Sequence, residues 1–228
     1  MLEEITLRLV GTRHEYGDVR TFIFRPEGPV MYEAGQYIHL RLPAQAGVPG
    51  VKEGESVREF SFASAPSDAE IWFSMHVRPE SAYKMRLAEL TPGDEVTIFK
   101  IKGDFTYPRD ETREAVFIAG GVGMTPFRSM VRQREALGLS PPAVLVHVAS
   151  DGYLFQDEMQ TKPIEQYRIT RSAVDATLRA IALRKSKALY YIAGSPFFTV
   201  TTSTILEKLG IPMEQIKRDD FDGYEGEA

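Results

Sequence analysis

Ala115-Val116-Phe117-Ile118-Ala119-Gly120-Gly121-Val122-Gly123-Met124-Thr125-Pro126 decides how the second half of this chain folds. The first five residues are apolar without alternation, the pattern of a strand buried on both faces in a parallel sheet. Three glycines then let the backbone turn sharply and come close to a ligand, while Thr125 suits a helix cap and Pro126 a first helical turn. Strand, glycine turn and helix in that order place free N–H groups and a positive dipole end where a pyrophosphate can sit. A glycine-rich turn with no ligand satisfies the same pattern, so the motif alone leaves both readings open.

Downstream, residues 143–149 (AVLVHVA) and 188–193 (ALYYIA) repeat the apolar run. Helices are expected over residues 125–137, 155–160, 174–184 and 199–209, which gives the βαβ rhythm of a nucleotide-binding sheet. Ala193-Gly194-Ser195-Pro196 closes the third such strand, where open parallel sheets place their ligands. Upstream the rhythm differs. Residues 20–25, 36–42, 57–63, 71–77 and 96–101 are short, aromatic and β-branched, with turns such as Thr91-Pro92-Gly93-Asp94 between them. That spacing predicts an antiparallel barrel or sandwich, with one helix over residues 82–90. The boundary falls near Tyr107-Pro108-Arg109-Asp110, dividing the chain into residues 1–108 and 109–228.

Composition narrows the chemistry. The 228 residues carry 27 Lys plus Arg against 32 Asp plus Glu, a net charge of −5, and 43% are hydrophobic, which suits a globular chain of one large or two small domains. The acidic balance argues against nucleic acid as a partner. Cysteine is absent, which excludes disulfides, thiolate zinc, a cysteine nucleophile and a cysteine-held iron–sulfur cluster on this chain. Redox chemistry then requires an organic cofactor. No apolar run approaches the ~18 residues that span a bilayer, and Met1-Leu2-Glu3-Glu4-Ile5 shows no signal pattern, so a cytoplasmic protein is expected.

Two further segments carry candidate chemistry. In Arg58-Glu59-Phe60-Ser61 an arginine, an aromatic ring and a hydroxyl suit a phosphate, a planar ring and a ring nitrogen, with an edge arginine and a core phenylalanine as the plain alternative. Strand alternation separates Arg58 and Phe60 from Glu59 and Ser61, and a bulge or strand end is needed to bring them to one pocket. In Ser81-Ala82-Tyr83-Lys84 the serine is a helix cap, and the first-turn amides with Lys84 suit a diphosphate, although ordinary capping explains the serine equally. His14, His39, His76 and His147 are scattered and point to no metal site, and no His–Asp or Ser–His–Asp arrangement is legible.

Taken in order, these segments resemble the ferredoxin–NADP reductase superfamily over about residues 6–224. The marks are Arg58 to Ser61, Ser-Ala-Tyr-Lys before Pro-Gly-Asp, Gly103-Asp104-Phe105-Thr106, Gly-Gly-Val-Gly-Met-Thr-Pro and Asp220-Phe221-Asp222-Gly223-Tyr224. The resemblance implies an antiparallel β-barrel flavin domain followed by an α/β Rossmann-like NAD(P)-binding domain. It implies an FAD-dependent NAD(P)H reductase, with NADH or NADPH as donor and single electrons passed to an external acceptor. Ferredoxin, flavodoxin, an oxygenase component and a small acceptor all suit; no nucleic acid and no membrane span are expected. FAD is favoured over FMN because residues 81–84 resemble the segment that takes the diphosphate.

By the same resemblance Arg58 holds a flavin phosphate, Phe60 lies along the ring or ribityl chain, and Ser61 bonds near flavin N5. His76, Val77, Ser81, Ala82 and Lys84 contact the rest of the cofactor. Gly120, Gly121, Gly123, Met124, Thr125 and Pro126 face the nucleotide's pyrophosphate and ribose, Ala193, Gly194 and Ser195 approach the nicotinamide, and Phe221 or Tyr224 packs near the flavin or that pocket. Ser61, Ala193 and Phe221 are the expected catalytic positions.

Three departures stand out. Many relatives carry cysteine where Ala193 stands. The stretch between the second and third parallel strands, residues 161–187, reads as shortened. Ser150-Asp151-Gly152 lacks the arginine that reads a 2′-phosphate, and Asp151 would repel that group, which favours NADH unless Arg168 or Arg171 comes near. The first two departures motivate a second reading, a flavin-binding interaction module with weak or lost NAD(P)H oxidation. Arg128, Arg132 and Arg134, and Arg184, Lys185 and Lys187, suit either an acidic carrier or solvated helix faces.

Overall fold

Residues 4–43, 57–108 and 111–221 are described by the structure, a computed structural model. Strands β1 (Ile5–Tyr16), β2 (Val19–Pro26), β3 (Tyr37–Arg41), β4 (Val57–Ser61), β5 (Ile71–His76) and β6 (Glu95–Lys102) form a six-stranded antiparallel sheet in the order β4-β3-β6-β1-β2-β5. Alternation turns Leu7 and Leu9, Phe22 and Phe24, and Ile38 and Leu40 into one buried cluster. Just past β4 the Ala63 N–H donates to the Trp72 carbonyl at 2.8 Å, which ties the two edge strands and curls the sheet toward a barrel. β1 was not among the strands expected from the sequence. It is charged at Arg8, Arg13 and Glu15, and its register against β2 shifts at Leu9/Gly11 and His14/Tyr16, so its polarity does not alternate cleanly. Helix α1 (Ala82–Glu89) is capped as expected: the Ser81 hydroxyl accepts from the Lys84 N–H at 3.3 Å.

The second half forms a parallel sheet of β7 (Ala115–Gly120), β8 (Val144–Val148), β9 (Glu165–Ile169), β10 (Leu189–Gly194) and β11 (Ile216–Asp220), in the order β11-β10-β7-β8-β9. Helices α2 (Met124–Ala136), α3 (Gln156–Met159), α4 (Val174–Arg184) and α5 (Pro196–Lys208) complete it. On one face Phe117, Leu145 and Tyr191 pack with Phe127 and Met130 of α2, and Val19 and Ala63 of the antiparallel sheet join that cluster. On the other, Val116, Ile118, Tyr190 and Ile192 pack with Leu178 and Ile181 of α4 and Leu206 of α5.

Two strands here correct the sequence reading. β9 and β11 are polar edge strands, paired on one side only, and so lack the apolar run that marks their neighbours. β10 is therefore the fourth parallel strand, and residues 161–187 hold the third, β9, together with the expected helix α4. The strand order reverses between β7 and β10, which opens a crevice at their C-terminal ends.

The expectation for the basic stretches is corrected in part. Arg128 is 3% exposed and its guanidinium lies over Trp72 at 4.3 Å and Phe155 at 4.8 Å. It donates to the Ala63 carbonyl at 2.6 Å and pairs with Glu158 at 2.7 Å. Arg132 pairs with Asp68 at 2.6 Å, and the Ser129 hydroxyl donates to the Ser64 carbonyl at 2.6 Å. Arg134 is buried against the Ser140 and Pro108 carbonyls, Arg184 pairs with Glu165, and Lys185 with Glu114. Arg128, Arg132 and Arg134 thus tie α2 to the antiparallel sheet and to the junction, whereas Arg184 and Lys185 pair with exposed carboxylates and Lys187 is exposed, as the solvated-face reading has it. No described helix is long and apolar enough to cross a membrane.

Candidate functional site

A cavity of about 260 Å³ lies at this crevice. Tyr16, His76 and Arg78 of the antiparallel half form one wall. Gly120, Gly121 and Val122 after β7, with Gly194 and Ser195 after β10, form the floor, and Asp151, Arg171 and Phe221 stand around it.

The three glycines have different reasons to be glycine. A Cβ on Gly123 would come within 2.1 Å of the Ala193 carbonyl oxygen, and one on Gly120 within 2.6 Å of the Phe198 ring, so both serve close packing against β10 and α5. Gly121 has φ of +52° and its Cβ position is open, the nearest atom being His76 Nε2 at 4.0 Å. Gly121 is thus the left-handed residue at which backbone meets the cavity. Thr125 does not cap α2 as expected: Gly123 holds the cap position, and the Thr125 hydroxyl donates to the Val122 carbonyl at 3.0 Å inside the first turn. Met124, Thr125 and Pro126 are buried and absent from the cavity wall.

The antiparallel wall holds a cluster the sequence did not reveal. His76 Nδ1 lies 2.5 Å from Asp18 Oδ1, and Arg78 Nε donates to Asp18 Oδ2 at 2.6 Å, so a His–Asp pair exists after all, joining the end of β5 to the β1–β2 turn. Hydrogen bonds from His76 and Arg78 outweigh desolvation and hold the Asp18 carboxyl below its ordinary range. The Tyr16 hydroxyl is buried with no hydrogen-bond partner, and desolvation pushes its pKa up to about 12, leaving a neutral donor. An orphaned buried donor beside a cavity fits a polar ligand there. The Tyr16 ring also explains Gly152, whose Cβ would come within 2.4 Å of it.

Of the remaining expected positions, Gly194, Ser195 and Phe221 line the cavity and the other described ones do not. Ala193 is fully buried in β10, and Gly194 and Ser195 reach the cavity in its place. Phe60 belongs to the antiparallel core, half-buried Val77 packs against it, and Ala82 is exposed. Arg58 is exposed with its guanidinium 5.5 Å from the Tyr83 ring, which brings it beside the capped start of α1 that carries Ser81 and Lys84. Ser61 Oγ donates to Asp219 Oδ2 at 3.5 Å. Burial, then the neighbouring Asp220, pushes the Asp219 carboxyl up to about 7. Phe221 lies at the cavity and its N–H donates to the Gly194 carbonyl at 2.8 Å. Tyr224 lies outside the described residues.

Tyr16, Asp18, Arg78 and Asp219 were missed by sequence reasoning, because none sits in a local motif and each depends on a strand not recognised or a partner far along the chain. Arg171 does reach the cavity, while Arg168 is not part of its wall. Among the described residues no group of three His, Cys, Asp or Glu is placed to hold a metal.

A curled antiparallel sheet followed by a parallel sheet with its glycine turn at the switch point defines a two-domain nucleotide-type oxidoreductase fold. Its sequence relatives and structural neighbours are flavohemoproteins and ferredoxin reductase-type FAD/NAD(P)-binding oxidoreductases, which match the ferredoxin–NADP reductase superfamily. No protein-family model matches it. It is 31% identical to ferredoxin–NADP reductase B of Sorangium cellulosum over 163 residues, covering 69% of this chain and 64% of that protein. It is 24% identical to a flavohemoprotein of Halalkalibacterium halodurans over 247 residues, covering 92% of this chain and 57% of that one. The chain thus spans a little over half the length of the flavohemoproteins it matches. Its fold is that of a ferredoxin NADP+ reductase from Neisseria gonorrhoeae with bound FAD and NADP, with a TM-score of 0.76, 17% identity, and coverage of 95% of this chain and 98% of that one.

Proposed function

We propose that the chain is an FAD-dependent NAD(P)H reductase that passes single electrons to a separate acceptor such as ferredoxin, flavodoxin or an oxygenase component. The observation that carries this reading is the left-handed Gly121, opening into a cavity that both sheets wall at the strand-order switch. FAD, when bound, supplies the conversion of a two-electron donor into single electrons.

The chain's own residues do the positioning. Arg58 and the first turn of α1 form a cationic, N–H-rich corner suited to the flavin's phosphates. The Gly121 to Gly123 turn offers amides to the nucleotide's pyrophosphate, and the Tyr16 hydroxyl offers the unspent donor beside it. Ser61 and Asp219 meet where the two sheets adjoin, and Asp219 holds its proton below about pH 7. Phe221 lines the cavity at the end of β11, held there by its N–H bond to the Gly194 carbonyl. Asp151 and Arg171 carry opposite charges at one cavity, so the choice between NADH and NADPH does not rest on Asp151 alone.

The competing reading, a flavin-binding module with weak or lost NAD(P)H oxidation, draws on Ala193 and on the shortened second half. Anaerobic mixing of the flavin-loaded protein with NADH and with NADPH, followed by flavin absorbance, tests the proposal. Rapid bleaching by one nucleotide is the expected result. Bound flavin that neither bleaches favours the module, and a protein that takes up no flavin overturns both.

A further inference from the structure

His147 is a polar residue in a strand that is otherwise Val-Leu-Val and Val, and its side chain is nearly fully buried. Desolvation pushes its pKa down to about 4, so the ring is neutral at ordinary pH and carries one N–H. Its Nε2 lies 2.9 Å from the Gly121 carbonyl oxygen. A carbonyl only accepts, so this contact fixes the proton on Nε2. The Tyr153 ring stands edge-on to the imidazole at 5.3 Å and holds its plane.

The Gly121 carbonyl also accepts from the Met124 N–H, so both its lone pairs are engaged on the protein side. In a trans peptide the C=O and the following N–H point in opposite directions. Anchoring the Gly121 oxygen on His147 therefore turns the Val122 N–H away from the ring. His147 is not part of the cavity wall, whereas Gly121 and Val122 are. At φ of +52° a glycine has little steric preference of its own, so this peptide plane needs an external restraint.

We propose that His147 is a positioning residue for the nucleotide: through the Gly121 carbonyl it fixes the Gly121–Val122 peptide so that the Val122 N–H faces the pyrophosphate. The inference rests on the reading that the glycine turn takes that group. His147 touches neither the reacting atoms nor the nucleotide. It makes the difference between a loop that is already oriented and one that must be ordered at binding.

The test compares His147→Leu, which removes the donor, with His147→Gln, which retains a side-chain N–H, both as flavin-loaded protein. Calorimetric binding of NAD+ and NADP+ is expected to weaken about tenfold in the leucine variant and to return within about threefold of wild type in the glutamine variant. Flavin content should stay unchanged, and KM for the reduced nucleotide should rise while kcat falls less than threefold. A folded leucine variant that binds nucleotide as wild type does overturns the proposal.

Gly121→Val separates this failure from that of the underlying reading. If it abolishes nucleotide binding while His147→Leu does not, His147 alone loses its role; if neither changes binding, the glycine turn is not the nucleotide site. Should the leucine variant not fold, nitrogen NMR of the wild-type ring decides: an Nε2–H tautomer coupled to the Gly121 carbonyl is expected, and an Nδ1–H tautomer overturns the proposal.

Discussion

Ser61 at the end of β4 and Asp219 on β11 stand 3.5 Å apart, so a hydroxyl from one sheet meets a buried carboxyl from the other. Asp219 pairs in register with Ala193 of β10, which brings this contact beside the crevice between β7 and β10.

This carboxyl makes stability depend on pH in a stated direction. Its folded pKa of about 7 lies above the ordinary 3.8, so it costs nothing below pH ~4, where it is protonated whether folded or unfolded. Between pH ~4 and ~7 the unfolded chain releases a proton that the folded one keeps, and stability falls. Asp219→Asn should match wild type near pH 4 and exceed it above pH 7, by at most about 4 kcal/mol at roughly 1.4 kcal/mol per pH unit. Urea unfolding across that range measures the gain; an equal effect at every pH would exclude the carboxyl as its source.

Two glycines of the turn should fail differently. Gly121→Ala adds a Cβ to open space and costs only the left-handed conformation, about 1–2 kcal/mol, with the fold kept and nucleotide binding impaired. Gly123→Ala drives a Cβ into the Ala193 carbonyl, which cannot move aside, and should cost about 3 kcal/mol or more. Thermal unfolding of the pair ranks them.

Removing the buried cation of α2 should loosen the whole molecule. Arg128→Met leaves Glu158 with Arg132 alone and deprives the Ala63 carbonyl of its donor, a loss of about 3 kcal/mol. Adding Glu158→Gln should recover part of it, and a double-mutant cycle by urea unfolding gives the coupling.

Arg58→Ala touches an exposed guanidinium, so stability should change by less than about 0.5 kcal/mol. Retention of flavin should nonetheless fall about tenfold if Arg58 holds its phosphate. The flavin-to-protein ratio after gel filtration reports it.

Legibility in the sequence followed burial. β7, β8 and β10, buried on both faces, announced themselves as apolar runs, and α4 was placed to the residue. The Ser81 cap was legible because its partner is three residues away. Edge strands β9 and β11 and the bulged β1 were silent, since a strand paired or buried on one side needs few apolar residues. The cavity's antiparallel wall was hidden for a different reason. Asp18 and His76 are 58 residues apart, and their contact exists only once β2 and β5 pair. The roles of Gly120 and Gly123 were likewise unreadable, because what a missing Cβ makes room for is decided by residues of α5 and β10.

The Arg128 clamp bears on time as well as energy. Swinging the two sheets apart would strip the Arg128 guanidinium from the Trp72 face and the Ala63 carbonyl, and would break the Arg132–Asp68 pair and the Ser129–Ser64 hydrogen bond with them. A hinge of that cost is seldom open, so slow domain closure is not the step that admits a ligand to this crevice. Side chains that line the crevice, Phe221 among them, change rotamer on the picosecond-to-nanosecond scale of exposed groups. The two halves are thus held as one frame, and any opening of the crevice that parts them is expected to be far slower than the motions of the side chains around it.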